Sequence, residues 1–473
     1  MKKTVMTICI LTCLALIFPI TVGAVALATP PQFDQTFLGE LSCKIDRLES
    51  IDQPKIIVVG GSSVAFGLRS DIMEQQLGMP VVNLGLYASL GTKLMLDISK
   101  ANIGKDDIVI IAPEQDAQTL SLYFNADSAW KAFDGSFEDL KYVGKDDLPS
   151  IAGGLMGFAA EKYKYLSKGE KPAVSGVYTK EAFNSYCDID YERPSNTMFG
   201  GFDKNTPISF DESIISQDFI DYLNQYAIYA RGRGADVFFS FSPMNRAALD
   251  ENATQEQIYS YFCHLQNSLD FPVISSPEAY LMEPNWFYDS NFHMNDAGAI
   301  LHTKHLINDI ILALRLDKNC TVETPEMPEL SQSGDSEAGN SELFTFNTTD
   351  QGIEITGLTQ KGTEQTEIEV PAAIDGKTVV AISEGAFSAN TALTKITVNH
   401  GIAYIADGAF DGCTSLKELV VNSSEPATIR VGEELLRGAD NCRIYVPKGA
   451  YGTYSTDYYW AFYCDSSSVE ELA

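Results

Sequence analysis

Residues 56–67, Ile-Ile-Val-Val-Gly-Gly-Ser-Ser-Val-Ala-Phe-Gly, constrain the fold more than any other stretch of the chain. Ile56, Ile57, Val58 and Val59 form an uninterrupted β-branched run, the pattern of a strand buried on both faces. Gly60 and Gly61 end that strand, and Ser62-Ser63 open a helix carried by Val64, Leu68, Ile72 and Met73. A serine at a strand-to-helix turn holds its hydroxyl at the carboxyl edge of the sheet, where open α/β folds bind ligands. It also lies beside the helix's unpaired amides, which favour developing negative charge. Serine is equally a preferred helix N-cap, so the stretch alone does not separate a site from a cap.

The pattern recurs along the chain. Val81-Val82-Asn83-Leu84-Gly85 reads as a second strand, Leu90–Ser99 as a helix and Ile108–Ala112 as a third strand. After residue 210 come a helix from Ser213 to Arg231, a strand Ala235–Phe241, a helix Thr254–Leu269, a short strand Phe271–Ile274 and a last helix Ala297–Leu314. Strands alternating with helices at this spacing predict an α/β domain over residues 55–318, with a parallel sheet covered on both faces. Residues 120–210 mix aromatic, small and turn-forming residues, as in Tyr191-Glu192-Arg193-Pro194, and read as an insertion over the sheet edge that shapes specificity. Ahead of the sheet, residues 29–54 carry a connecting helix, Thr36–Glu49.

A second polar stretch lies far downstream: Tyr288-Asp289-Ser290-Asn291-Phe292-His293-Met294-Asn295-Asp296-Ala297-Gly298. Together the two stretches resemble the blocks of the SGNH/GDSL hydrolase family. That family's first block reads Gly-Asp-Ser with a glycine four residues after the serine; Gly61-Ser62-Ser63 is followed by Gly67 at that spacing, with Ser62 in the aspartate's place. Its last block is an Asp and a His shortly before the final helix. The resemblance covers roughly residues 50 to 315 and is nearest to membrane-associated branches that acylate or deacylate envelope polymers, such as the D-alanyl-teichoic-acid and alginate-acetylation proteins. It implies a flavodoxin-like three-layer parallel sheet.

A serine hydroxyl is inert at neutral pH without an adjacent base. The chain holds five histidines, and His293 alone precedes a helix in a polar stretch with a carboxylate. His264, His302 and His305 fall within helices and His400 in a turn, and a metal at His302 and His305 lacks a third ligand. The expected roles are therefore Ser63 as nucleophile, His293 as general base and acid, and Asp289 as its orienter. The Asp-x-x-x-His spacing is one residue wider than the family's, and Asp296 is the substitute carboxylate. For the oxyanion, the resemblance implies main-chain donors at Ser63 and Gly85. Its usual third donor, an asparagine after the third strand, aligns with Glu114 in Ala112-Pro113-Glu114-Gln115-Asp116. An ionised carboxylate cannot donate, and one lost donor costs about 3 kcal/mol. Either Gln115 supplies the bond, Glu114 stays protonated, or the site is slow or inactive. Ser62, Glu114, Asn83, Asn291 and Asn295 stand near the expected site; no metal or cofactor is expected.

Lys2 and Lys3 precede an uncharged apolar run, Val5–Ala28. That length spans a bilayer, which needs roughly 20 residues, and the basic end predicts an N-in, C-out orientation. Residues 1–28 thus read as an anchor placing the rest outside the cell; Ala26-Leu27-Ala28 is also an acceptable cleavage site, which leaves secretion as the alternative. The formal net charge of −31 argues against nucleic acid. Seven of the nine cysteines lie beyond the apolar run with no tight spacing, so free thiols are expected, with one bridge between Cys442 and Cys464 left open.

Residues 319–342 are polar, acidic and punctuated by proline, as a linker is. Beyond it, over residues 343–473, Ile382-Ser383-Glu384-Gly385-Ala386-Phe387 recurs 23 residues later as Ile405-Ala406-Asp407-Gly408-Ala409-Phe410. Leu393 and Leu416, and Ile396 and Leu419, keep the same shift. A strand and a turn per copy, with apolar positions in register, is the signature of a solenoid. These copies resemble the BspA-type leucine-rich repeat of bacterial surface proteins, which implies a short β-solenoid domain. Two functions follow as expectations. One is an extracytoplasmic serine esterase or O-acyltransferase acting on acyl groups of cell-envelope glycans or teichoic acids. The other is a catalytically inactive surface protein that binds a protein partner through its repeats.

Overall fold

The apolar run after residue 55 forms β1 (Ile56–Gly60), every residue of which is buried. It lies between β2 (Val81–Gly85) and β3 (Ile108–Ile111), paired parallel to both, and β4 (Asp236–Phe239) extends the sheet beyond β3. The spatial order is therefore β2-β1-β3-β4. This computed structural model describes residues 18–330 and 341–472 except 173, 175, 199–200, 204–205, 251, 350–351, 375–376, 400–401, 424–428, 432–434, 440, 448–449, 456–459, 461–462 and 464–468. His400 and Cys464 thus lie outside the described residues. Two compact units divide the chain, Met1–Leu330 and Ser331–Ala473. Both are mixtures of helix and parallel sheet, a mixed α/β chain.

In the first unit, Leu41–Ser50 forms α1, after a 3-10 turn at Phe37–Glu40. The single helix expected after β1 is two, α2 (Ser62–Gly67) and α3 (Ser70–Leu77). Leu68 between them is extended, with φ −107° and ψ 137°. The break is stable because the last long helix, Asp296–Ala313, supplies the missing partners. His302 Nδ1 lies 2.7 Å from Gly67 O, and Thr303 Oγ1 accepts from Arg69 N at 2.9 Å. Thr92–Ser99, Gln217–Gly232 and Gln255–Ser268 are the other expected helices, each within a few residues of its predicted bounds. The strand expected at Phe271–Ile274 shrinks to one parallel bridge between Phe239 and Val273. Pro272 has no N–H to give a longer ladder.

The stretch 120–210 contains a helix that periodicity missed, Leu148–Lys168. Three glycines in its first half lower its intrinsic propensity, and burial of Ile151, Phe158, Ala159 and Lys162 on one face offsets that. The same helix fixes the end of the apolar N-terminal run. Residues 18–28 are helical, and the buried Ala26 offers its carbonyl to Lys162 Nζ at 3.1 Å. Lys162 also pairs with Asp134 at 2.6 Å, both side chains fully buried. Asp134 Oδ2 in turn accepts from the amides of Gln32 and Phe33. Residues 1–17 of the run lie outside the described residues; among those described, no helix is long and apolar enough to cross a membrane.

Residues 319–330, expected to begin a linker, run along the first unit without regular structure. Thr321 N donates to Gln76 Oε1 at 2.9 Å, and Asn285 Nδ2 donates to Pro328 O at 2.8 Å. Residues 331–340 lie outside the described residues.

In the second unit, Glu367–Val370, Lys395–Asn399, Glu418–Asn422, Arg443–Val446 and Val469–Glu471 form one parallel sheet, adjacent in that order. A second ladder pairs Lys377–Ile382 parallel to Tyr404–Ile405. The sequence repeat is the register itself: Ile396 faces Leu419 and Ile382 faces Ile405. Phe387 and Phe410, one repeat apart, stack with centroids 5.4 Å apart. Cys413 is fully buried, with its thiol 3.0 Å from Phe387 O. Among the described residues Cys43, Cys187, Cys263, Cys320, Cys413 and Cys442 are free thiols.

Removing one partner of a fully buried ion pair leaves an uncompensated charge and costs about 3–5 kcal/mol, whereas replacing both by apolar residues is often neutral. Asp134→Ala is accordingly expected to lower the urea midpoint sharply, and Asp134→Leu with Lys162→Met to recover most of the loss. A single variant that unfolds like the parent would show that the pair does not hold residues 26–33 in place.

Candidate active site

The carboxyl ends of β1 and β2 bring main chain so close that side chains are excluded. A Cβ on Gly85 would stand 2.5 Å from Ala65 N, and one on Gly61 would stand 2.8 Å from Glu114 Oε1. The turn after β1 therefore delivers Ser62 and Ser63 to the sheet edge in the first turn of α2. The loop before Asp296 reaches the same edge. Asn291 Nδ2 donates to Asp203 O, Thr206 O and Thr206 Oγ1, and Asn295 caps the helix by accepting from Gly298 N at 2.9 Å. Asn295 Nδ2 also donates to the carbonyls of Asn285 and Phe287. These two asparagines, expected near the site, hold the loop and do not face the hydroxyl.

His293 Nε2 lies 2.8 Å from Ser62 Oγ, and His293 Nδ1 lies 2.8 Å from Asp289 Oδ1. The hydroxyl facing the imidazole thus belongs to Ser62, where the sequence pattern points to Ser63. The reason is helical geometry: adjacent residues at a helix start point about 100° apart, and only one can face the loop. Ser63 is fully buried, and its Oγ has no hydrogen-bond partner among the described residues. Asp289 keeps its place in the chain of contacts despite the wider Asp-x-x-x-His spacing. Tyr288 N donates to His293 O at 2.8 Å, closing the segment so that residues four apart meet.

The imidazole is also fixed from its face. Phe66, one turn after Ser62 on α2, stacks on His293 with centroids 4.0 Å apart and planes 8° apart. Arg193 Nη1 donates to Phe66 O at 3.0 Å, and Arg193 pairs with Asp296. Tyr178 donates its phenolic O–H to Asp289 Oδ2 at 2.6 Å. Although burial pushes the Asp289 carboxyl upward, the charge and hydrogen bond of His293 and the Tyr178 bond outweigh it and hold it below the usual range. Burial, reinforced by Asp289, raises the Tyr178 phenol well above its ordinary value, so it remains a donor. Tyr178 and Arg193 come from the insertion, and no sequence spacing pointed to them.

The expected oxyanion donors are distributed differently. The Gly85 amide is occupied by Asn83 Oδ1 at 2.8 Å, and Asn83 Nδ2 donates to Asp188 Oδ1 at 2.9 Å. Gln115 Nε2 donates to Ser209 O at 3.1 Å, turned away from the hydroxyl. Glu114 is the residue that is present: its Oε1 accepts from the Ser63 amide at 2.7 Å and lies 2.9 Å from Ser62 Oγ. Among the described residues, no group of three or more metal-ligating side chains is arranged to hold an ion.

No protein-family model and no curated protein matches the chain. Among solved structures it is weakly similar to leucine-rich repeat proteins. A leucine-rich repeat protein of T. pallidum shares 22% identity, with 22% of this chain and 47% of that one covered and a TM-score of 0.20. A leucine-rich cell surface protein of Faecalibacterium prausnitzii shares 20% identity over 24% of this chain and 32% of that one, with a TM-score of 0.19. A leucine-rich repeat protein of Bacteroides ovatus shares 20% identity over 22% and 33% of the two chains, with a TM-score of 0.17. The chain spans less than half the length of each.

His302, on the helix behind the site, is a structural histidine. Burial pushes its pKa down from 6.5 to about 4. A depressed basic group is neutral in the fold and charged in the unfolded chain between those two values, so stability is complete above about pH 6.5 and is lost as pH falls toward 4, by about 3 kcal/mol. His302→Asn, which keeps an N–H for Gly67 O, is expected to flatten that part of the stability–pH curve measured by urea unfolding. An unchanged slope would assign the acid sensitivity to other groups.

Proposed function

We propose that the first unit is a serine acyl-transfer enzyme of the SGNH hydrolase type, with a flavodoxin-like sheet and an acyl–Ser62 intermediate. The observation that carries this reading is the unbroken chain Asp289–His293–Ser62, with 2.8 Å at each of its two contacts. In this reading Asp289 fixes the tautomer that leaves Nε2 as acceptor, and Nε2 takes the Ser62 proton as the hydroxyl attacks an acyl carbon. The carbonyl pair moves onto oxygen, for which the Ser63 amide exchanges Glu114 Oε1 for the oxyanion. As the intermediate collapses, the acyl C–O bond breaks and the imidazolium returns the proton to the leaving alkoxide. Water then releases a free acid, or a second hydroxyl accepts the acyl group.

The substrate class follows from placement. The apolar run Val5–Ala28, joined to the domain through Ala26 and Lys162, suits a retained anchor that holds the site outside the cell at the membrane face. O-acyl groups of envelope glycans or teichoic acids are the acyl esters within reach there. The parallel ladders of the second unit suit a BspA-type β solenoid that offers a surface to a protein partner. A second reading, a catalytically inactive binding protein, is favoured by one observation: a carboxyl oxygen sits 2.9 Å from the hydroxyl, where a donor is wanted.

Labelling of the detergent-solubilised chain by an active-site serine phosphonate separates the two. The parent and Ser63→Ala are expected to label, and Ser62→Ala is not. Loss of labelling in Ser63→Ala alone would return the role to Ser63. A parent that neither labels nor hydrolyses p-nitrophenyl acetate would leave the binding protein.

A further inference from the structure

Three contacts run in series through the site, and each needs one proton between its two heavy atoms: Asp289 Oδ1 to His293 Nδ1, His293 Nε2 to Ser62 Oγ, and Ser62 Oγ to Glu114 Oε1, at 2.8, 2.8 and 2.9 Å. Two carboxylates, a neutral imidazole and a serine hydroxyl bring two protons to these three contacts. The chain of contacts is therefore complete only with one proton more. Asp289 is not its holder: Tyr178 donates to its Oδ2, and the charge and hydrogen bond of His293 with the Tyr178 bond hold its carboxyl below the usual range. The extra proton sits either on His293 Nε2 or on Glu114. On Nε2 it makes an imidazolium that cannot accept the Ser62 proton, an unreactive form. On Glu114 it leaves Nε2 free to accept, and turns the carboxyl into a donor.

We infer that Glu114 is a catalytic residue that acts as a neutral carboxylic acid, donating its O–H first to Ser62 Oγ and then to the oxyanion formed on the acyl group. This rests on the acyl-transfer reading above. Glu114 is well placed for this role. Its Oε1 is in contact with both the attacking hydroxyl and the Ser63 amide, so an acyl oxygen entering beside that amide meets the acid as well. The side chain is 5% exposed, and its main chain is pinned by Thr119 Oγ1 and the Asp116 amide, both donating to Glu114 O. Gly61 leaves room for the carboxyl, and a Cβ there would displace it. A neutral carboxylic acid donates to an oxyanion where a carboxylate would repel it. The Ser62 O–C bond forms, the Ser62 proton passes to Nε2, the carbonyl pair becomes the oxyanion, and Glu114 keeps its proton throughout. The titratable groups facing this chain are His293 and Asp289 from the loop before the last helix, and Tyr178 from the insertion, with Arg193 acting on Asp289.

The test compares the full-length parent with Glu114→Gln and Glu114→Ala, using p-nitrophenyl acetate hydrolysis from pH 5 to 9 and phosphonate labelling of Ser62. Glutamine keeps a neutral donor at every pH. Glu114→Gln is expected to lose the parent's decline at alkaline pH. Glu114→Ala is expected to fall about 10²-fold in kcat, the usual effect of one missing oxyanion donor. An alanine variant as fast as or faster than the parent would show that the carboxyl blocks the site and would overturn the inference. So would a parent whose activity rises with pH while Glu114→Gln is inactive, since the carboxylate would then be the working form. Failure of the parent itself to label or hydrolyse is a different outcome, and ends the acyl-transfer reading on which the inference rests.

Discussion

A contact of 2.8 Å between His293 Nε2 and Ser62 Oγ joins residues separated by 231 positions in the chain. Holding two such segments within hydrogen-bond reach is what the first unit is built to do. The hydroxyl is carried by a six-residue helix packed close on the sheet edge: a Cβ on Gly85 would meet Ala65 N in that helix, and one on Gly60 would meet Ala112 O and the Val64 side chain. The imidazole is carried by a loop that is fastened at both ends. Asn291 ties it to Asp203 and Thr206, and Asn295 caps the helix that follows. Phe66 then links the two, since it belongs to the serine's helix and lies against the histidine's ring. A displacement of either segment would cost the stack and the hydrogen bond together, so geometry at the site is coupled to packing behind it.

The insertion is fastened by buried charged groups that are each hydrogen-bonded. Asp188, fully buried, accepts from Ser70 N, Ser70 Oγ and Asn83 Nδ2. Lys44, also fully buried, donates to Asn83 O and Cys187 O, and burial lowers its pKa. Arg193 reaches Asp296 and Phe66 O. Each of these groups would be costly if left alone in the interior. Each is satisfied only when the insertion sits in one position over the ends of β1 and β2. Polar satisfaction fixes the register of this segment, and through Tyr178 the segment reaches Asp289.

The second unit uses a different principle. Its strands meet residue over residue at the interval of the sequence repeat, so each copy buries its apolar positions against the next. Leu393, Leu416, Ile396 and Leu419 are all fully buried in this way. The stack needs no contact with distant chain and follows from local pattern alone.

What could be read without coordinates differs between these regions for physical reasons. The buried run of β1, the alternation of strand and helix, the 23-residue repeat and the stretch around His293 are local patterns, and local periodicity reports them. The break at Leu68, the helix Leu148–Lys168 and the reduction at Phe271–Ile274 are tertiary outcomes. They depend respectively on partners from a helix some 230 residues away, on burial of the face that carries Ile151, Phe158, Ala159 and Lys162, and on a proline without a donor. The same division runs through the site. Sequence alone named Ser63 as the nucleophile, found His293 by elimination among five histidines and took Asp289 as the carboxylate that orients it. Which serine faces the ring was decided by the direction in which the sheet edge presents the first turn of α2 to the loop. That Glu114 and Tyr178 join the line while Gly85 and Gln115 turn away was likewise decided by packing. Residue identity sets which atoms are able to donate and accept; only the fold brings them within 3 Å of one another.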